Sequence, residues 1–137
     1  MPLKVLIVDD DRTALYALSE VLSDLAAELV LAESGEEALR QVLKQDFAAI
    51  LLDIRLPKMD GFEVAAAIRS LKRSRRTPII FMSANEDRRN KPRVGTVEEH
   101  YFRKPLVPEL VRSKVMSFLP RVIPAVDFQD SAAQDRA

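Results

Sequence analysis

Five short, mostly apolar runs separated by amphipathic stretches constrain this 137-residue chain more than any other feature. Leu3–Val8 leads into three consecutive aspartates, Asp9, Asp10 and Asp11, and Glu28–Ala32 forms a second run. Ala48–Leu52 runs into Asp53, Ile79–Met82 ends at Ser83, and Tyr101–Arg103 precedes Lys104-Pro105. Strands apolar at consecutive positions are buried on both faces, the signature of a parallel sheet covered by helices. The intervening segments supply those helices. Leu15, Leu18, Leu22 and Leu25 fall on one helical face, and Ser34-Gly35-Glu36-Glu37 reads as a capping box opening a helix with Ala38, Leu39, Val42 and Leu43 inward. Met59-Asp60-Gly61 is turn chemistry before a helix burying Val64, Ala65, Ile68 and Leu71. Pro108 sits near the start of a helix using Leu110, Val111, Val115 and Phe118. Five βα units predict a doubly wound α/β domain with right-handed crossovers.

Composition closes off several functions. There is no Cys, so disulfides, thiolate metal sites and a Cys nucleophile are excluded, and the single His100 is too little for a zinc centre. His100 itself is expected to be exposed and is given no role. The longest apolar run is too short to cross a bilayer and the first residues lack a signal-peptide layout, so a cytoplasmic protein without a membrane partner is expected. The formal net charge of zero conceals an asymmetry. Residues 1–68 carry 6 Lys/Arg against 13 Asp/Glu, and residues 69–104 carry 11 against 4. The basic run includes Arg69, Lys72, Arg73, Arg75, Arg76, Arg88, Arg89, Lys91 and Arg93, and reads as a solvated helix end and loop. No aromatics are interleaved with it, which argues against direct nucleic-acid binding.

In doubly wound sheets, ligands sit beyond the carboxyl ends of the strands. Asp9, Asp10, Asp53, Ser83 and Lys104 all fall there, scattered in sequence and expected to converge in space. Three clustered carboxylates repel unless a cation compensates, and all-oxygen ligands suit Mg²⁺ or Mn²⁺. Asp10 and Asp53 are the expected direct ligands, with Asp9 acting through water, while Asp11 reads as a helix N-cap. Lys104 supplies a point charge and Ser83 a hydroxyl to a phosphoryl group. A carboxylate keeping a free oxygen can act as nucleophile and form an acyl-phosphate, and Asp53, ending the most apolar strand, is the best placed.

The segments VLIVDDD (Val5–Asp11), LLDIRLPKMDGFE (Leu51–Glu63), PIIFMSA (Pro78–Ala84) and YFRKP (Tyr101–Pro105) resemble the receiver domain of two-component response regulators, the CheY-like superfamily. The resemblance covers roughly residues 3–119. It implies a flavodoxin-like, five-stranded parallel sheet of order 2-1-3-4-5 with helices on both faces. It implies that Asp53 is the phosphoacceptor, taking a phosphoryl group from the phosphohistidine of a sensor histidine kinase or phosphotransfer protein. Asp9, Asp10, Asp53 and the backbone carbonyl of Arg55 would hold Mg²⁺. Ser83 and Lys104 would bind phosphoryl oxygens, with a cis peptide at Lys104-Pro105, and Gly61 would shape the loop beyond the site. Ser83 and Tyr101 would form the switch that reshapes the fourth-helix, fifth-strand, fifth-helix surface, and Arg55 and Asn85 would tune the phosphoryl lifetime. Tyr101 also reads as an ordinary half-buried strand residue.

The chain departs from that family between residues 85 and 95, where Pro92, Gly95 and a polar composition predict a shortened or irregular fourth helix and an altered dimer face. Residues 1–119 are expected to be the receiver, and residues 120–137 a tail or the start of a linker. Val122, Ile123, Val126 and Phe128 are apolar anchors within that tail. Nucleic acid would be reached only through an output domain outside this chain, and the downstream target is a protein left unidentified. Three function classes follow: a phosphorylation-dependent switch, an unphosphorylated interaction module using the 85–95 region, and an aspartyl-phosphate phosphatase. The switch is preferred. A module has no chemical need for the acid cluster, and such phosphatases place an acid two residues after the nucleophile, where this chain has Arg55. As a switch it is not an enzyme in the usual sense, catalysing only its own phosphorylation and slow autodephosphorylation.

Overall fold

A computed structural model describes residues 3–84 and 100–120. The described elements follow the order β1 (Lys4–Val8), α1 (Arg12–Val21), β2 (Glu28–Ala32), α2 (Gly35–Lys44), β3 (Ala49–Asp53), α3 (Gly61–Ser70), a 3-10 turn (Lys72–Ser74), β4 (Ile79–Ser83), β5 (His100–Arg103) and α4 (Pro108–Ser117). The expected fourth helix, with Asn85 and the altered dimer face, lies outside the described residues, as do residues 121–137. All strand pairs are parallel and the sheet order is β2-β1-β3-β4-β5, as expected of a doubly wound, flavodoxin-like fold.

Alternation along the central strands divides the core into two layers. Leu6, Val8, Ile50, Leu52 and Phe81 face α2 and α3, meeting Ala38, Val42, Val64, Ala65 and Ile68. Val5, Ile7, Leu51, Ile80 and Met82 face α1 and α4, meeting Leu15, Leu18, Leu22, Val111 and Val115. Residues on opposite faces of a pleated strand thus serve separate helix pairs, which is why these strands read as continuous apolar runs. The edge strands β2 and β5 are only partly buried.

Helix starts follow local chemistry. Asp11 caps α1 as expected, its side chain accepting from the Thr13 N–H at 2.9 Å. Ser34 caps α2 by accepting from the Glu37 N–H, but the Glu37 carboxylate takes the N–H of Glu33 rather than that of Ser34, so the reciprocal box is displaced by one residue. The complete capping box is at α3. Asp60 accepts from the Glu63 N–H at 2.9 Å while Glu63 accepts from the Asp60 N–H at 3.0 Å.

Four expectations are corrected. Leu43 and Leu110 are exposed, because each helix buries only a narrow stripe centred on Ala38 and Val42, or on Val111 and Val115. His100 is half-buried, its ring edge-on to Phe118 at 5.1 Å. Arg69 leaves the solvated basic run. It is buried, and its guanidinium donates to the carbonyls of Ser74, Arg75 and Thr77, closing the connection from α3 to β4.

Candidate functional site

The carboxyl ends of β1 and β3 lie side by side because Val8 pairs with Leu52. Asp9 follows β1 directly and is fully buried, while Asp53 ends β3 and is 5% exposed. Each carboxylate accepts a backbone N–H two residues ahead: Asp9 Oδ1 from Asp11 at 3.0 Å, and Asp53 Oδ1 from Arg55 at 3.1 Å. These local turns fix the rotamers and turn the second oxygens toward each other.

Lys104 closes the site. Its Nζ donates to Asp9 Oδ2 at 3.1 Å and to Asp53 Oδ2 at 3.2 Å. It directly follows β5 and is held there by its own N–H donating to the Ser83 carbonyl at 2.7 Å; the Lys104–Pro105 peptide is cis. Ser83 is buried at the end of β4, one strand over from Asp53. Asp10 is exposed, and its carboxylate joins those of Asp9 and Asp53 in a cluster to which each contributes one oxygen within 4.8 Å of the others. One half-buried ammonium is thus shared by the Asp9 and Asp53 carboxylates, with that of Asp10 beside them, leaving an excess of negative charge that a divalent cation would neutralise.

The titration of the pair reflects this crowding. Burial and the neighbouring Asp9 charge push the Asp53 carboxyl up to about 6, against the pull of Lys104 and the Arg55 N–H. Burial alone would lower the Lys104 ammonium, but the charges of Asp53 and Asp9 and their hydrogen bonds outweigh it and hold Lys104 above its ordinary value.

Gly61 approaches the site's backbone closely. A Cβ there would lie 2.5 Å from the Asp53 carbonyl oxygen and 2.7 Å from the Ile54 Cα, and the Gly61 N–H donates to the Ile54 carbonyl at 2.6 Å. The turn after β3 can pack under α3 only with no side chain at this position.

The structure thus brings together Asp9, Asp10, Asp53 and Lys104, with Ser83 beside them and the Arg55 N–H on Asp53. The Arg55 side chain is exposed. Tyr101 is not part of the cluster: its half-buried ring stacks on Phe81 at 5.1 Å, among the side chains facing α2 and α3. Sequence reasoning did not single out the backbone N–H groups of Asp11 and Arg55. The signal available was the aspartate two residues before each, a spacing that favours local side chain-to-backbone turns.

The response regulator receiver domain family matches residues 5–115, and the chain belongs to that family. The chain is 36% identical over 121 residues to the transcriptional regulatory protein SrrA of Staphylococcus aureus, covering 86% of this chain and 48% of that protein. It is 28% identical over 121 residues to the signal transduction histidine-protein kinase BarA of Shigella flexneri, covering 88% of this chain and 13% of that protein. The chain therefore spans less than half the length of these curated relatives. Among solved structures it resembles the receiver domain of the sensor histidine kinase PA1611 from Pseudomonas aeruginosa, which has magnesium coordinated in its active-site cleft. That likeness has a TM-score of 0.76 at 29% identity, over 86% of this chain and 98% of that one. Among the described residues, no helix is long and apolar enough to cross a membrane.

Proposed function

We propose that this receiver domain is a phosphorylation-dependent switch in which Asp53 accepts a phosphoryl group from the phosphohistidine of a sensor histidine kinase or phosphotransfer protein. The observation that carries this reading is the Asp53 carboxylate itself. It is buried at the end of the central strand, held through Oδ1 by the Arg55 N–H and through Oδ2 by Lys104. Fixed orientation of a nucleophile removes much of the entropic barrier to an in-line displacement. A carboxylate oxygen attacks phosphorus, the P–N bond of the donor breaks, and the imidazole leaves with that bonding pair and takes up a proton. Lys104 neutralises charge on the phosphoryl oxygens, and the Ser83 hydroxyl donates to one of them.

The donor set fits Mg²⁺ or Mn²⁺, with only oxygens clustered within 4.8 Å and one carboxylate, that of Asp10, open to solvent. Asp9, Asp10, Asp53 and the Arg55 carbonyl would hold the ion, which when bound neutralises charge on the transferring group. Added negative charge on Asp53 then draws Ser83 and Lys104 inward and favours a rearranged surface that includes Tyr101, whose stacking on Phe81 ties it to the same sheet. Arg55 and Asn85 tune the lifetime of the acyl-phosphate. Residues 1–119 constitute the switch and residues 120–137 the tail or first part of a linker, and the output is contact with a downstream protein.

Intact-protein mass spectrometry after incubation with acetyl phosphate and Mg²⁺ tests this. A single phosphoryl adduct is expected, absent with chelator and absent in Asp53→Asn. An adduct that persists in Asp53→Asn would overturn the assignment. No adduct in a protein that binds Mg²⁺ would instead favour an unphosphorylated interaction module.

A further inference from the structure

At the end of the sheet opposite the acidic site, the fold leaves an apolar groove of about 660 Å³. Leu3, Leu25, Ala26, Met116, Leu119 and Pro120 line it, where the chain enters β1, approaches β2 and leaves α4. Its polar wall is the Asp24–Arg112 pair, bound through two hydrogen bonds of 3.1 and 2.7 Å. That pair satisfies its own charges and pins α4 to the turn after α1, so the groove has a fixed wall that asks for no counter-charge from an occupant. Met116 is 44% exposed on the groove's rim. The volume lies within the range of sites that bind an apolar ligand or peptide segment.

We propose that this groove is the docking site for the apolar part of the chain's own C-terminal segment, Val122–Phe128. Pro120, the last described residue, already stands on the groove wall, and 17 residues follow it in the sequence. The first eight of them carry Val122, Ile123, Val126 and Phe128 with a single acid, Asp127, which in an extended segment points away from the face shared by Val126 and Phe128, and Asp130 and Asp135 come later. Val122 through Phe128 reaches at most about 25 Å when extended, enough to cross a groove of this size from a starting point at its edge. Tethering makes the occupant effectively concentrated, so modest apolar contact suffices to fill the groove. Because the groove is at the amino-terminal ends of the strands, docking leaves Asp53 and Lys104 open to a phosphodonor.

The absence of Cys permits a clean test. A nitroxide attached to Ser131→Cys in the full chain should broaden the amide NMR signals of Leu25, Ala26, Ser113 and Ser117 several-fold more than those at the carboxyl ends of the strands. Adding Ile123→Asp and Phe128→Asp should remove that broadening while the remaining spectrum, and hence the fold, stays unchanged. Uniform or absent broadening at the groove would overturn the proposal and leave the groove to another protein. Broadening seen only when spin-labelled chain is mixed with unlabelled, isotope-enriched chain would also overturn it, and assign the groove to a second copy.

Discussion

Asp53 carries opposed demands: it must be buried to be held in place, yet ionised to attack. Its folded-state value, about 6, lies above the ordinary carboxyl value of 3.8, so the folded protein holds the proton more tightly than the unfolded chain. Metal-free stability attributable to this group is therefore present near pH 4 and lost as pH rises through about 6. Asp53→Asn cannot titrate. In chelator, that variant should be more stable than the parent by about 2–3 kcal/mol at pH 7, with the gap closing as pH falls toward 4. Denaturant melts of both proteins across that range would check it, and a gap that widens on acidification would contradict the account. Gly61 gives a second prediction at this scale. Gly61→Ala places a methyl group within 2.5 Å of the Asp53 carbonyl oxygen, where only backbone movement can relieve the contact. A loss of about 2–4 kcal/mol in stability is expected, together with weaker Mg²⁺ binding, measured by denaturation and titration calorimetry.

At the level of elements, legibility followed how strongly one physical effect dominated. The central strands were evident because Val5–Val8 and Ala49–Leu52 are buried on both faces, so no pattern competes with the apolar run. Helix faces were harder. Leu43 and Leu110 extend apolar stripes that the sheet covers only along their centres, and a single sequence does not show how wide a face will be covered. Arg69 was read as part of a solvated basic run because its partners are carbonyls of Ser74, Arg75 and Thr77, which carry no side-chain signature. The site itself was legible since its members occupy strand ends, and strand order alone makes them converge. Its backbone donors were not, being set by local dihedrals. The two helix caps can be separated by experiment. Asp60→Ala combined with Glu63→Ala breaks both halves of the capping box on α3 and should cost about 1 kcal/mol or somewhat more. Ser34→Ala removes only the single bond to the Glu37 N–H and should cost less. Urea melts of the two variants give the comparison, and a larger loss for Ser34→Ala would show that the box on α3 is energetically redundant.

Across the whole molecule, stability and the site are coupled, because the acid cluster sits where the two central strands end and both core layers meet. Lys104 offsets part of the repulsion between Asp9 and Asp53, and it does so from β5, so the cluster draws the edge of the sheet toward its centre. A cation bound only by the folded state adds stability in proportion to its occupancy, about 2.7 kcal/mol at a concentration 100 times its Kd. Mg²⁺ should therefore raise the melting temperature of the wild-type protein by several degrees, saturably. Asp10 allows binding and folding to be told apart: it is exposed, outside both core layers, and joined to the cluster only through its carboxylate. Asp10→Asn should leave the melting temperature in chelator nearly unchanged while cutting the Mg²⁺-induced rise by more than half. If the rise survives in full, the cation is held without Asp10, and the exposed carboxylate serves only to lower the local potential. If the melting temperature in chelator also moves by several degrees, Asp10 takes part in folding and the separation between fold and site fails at that position.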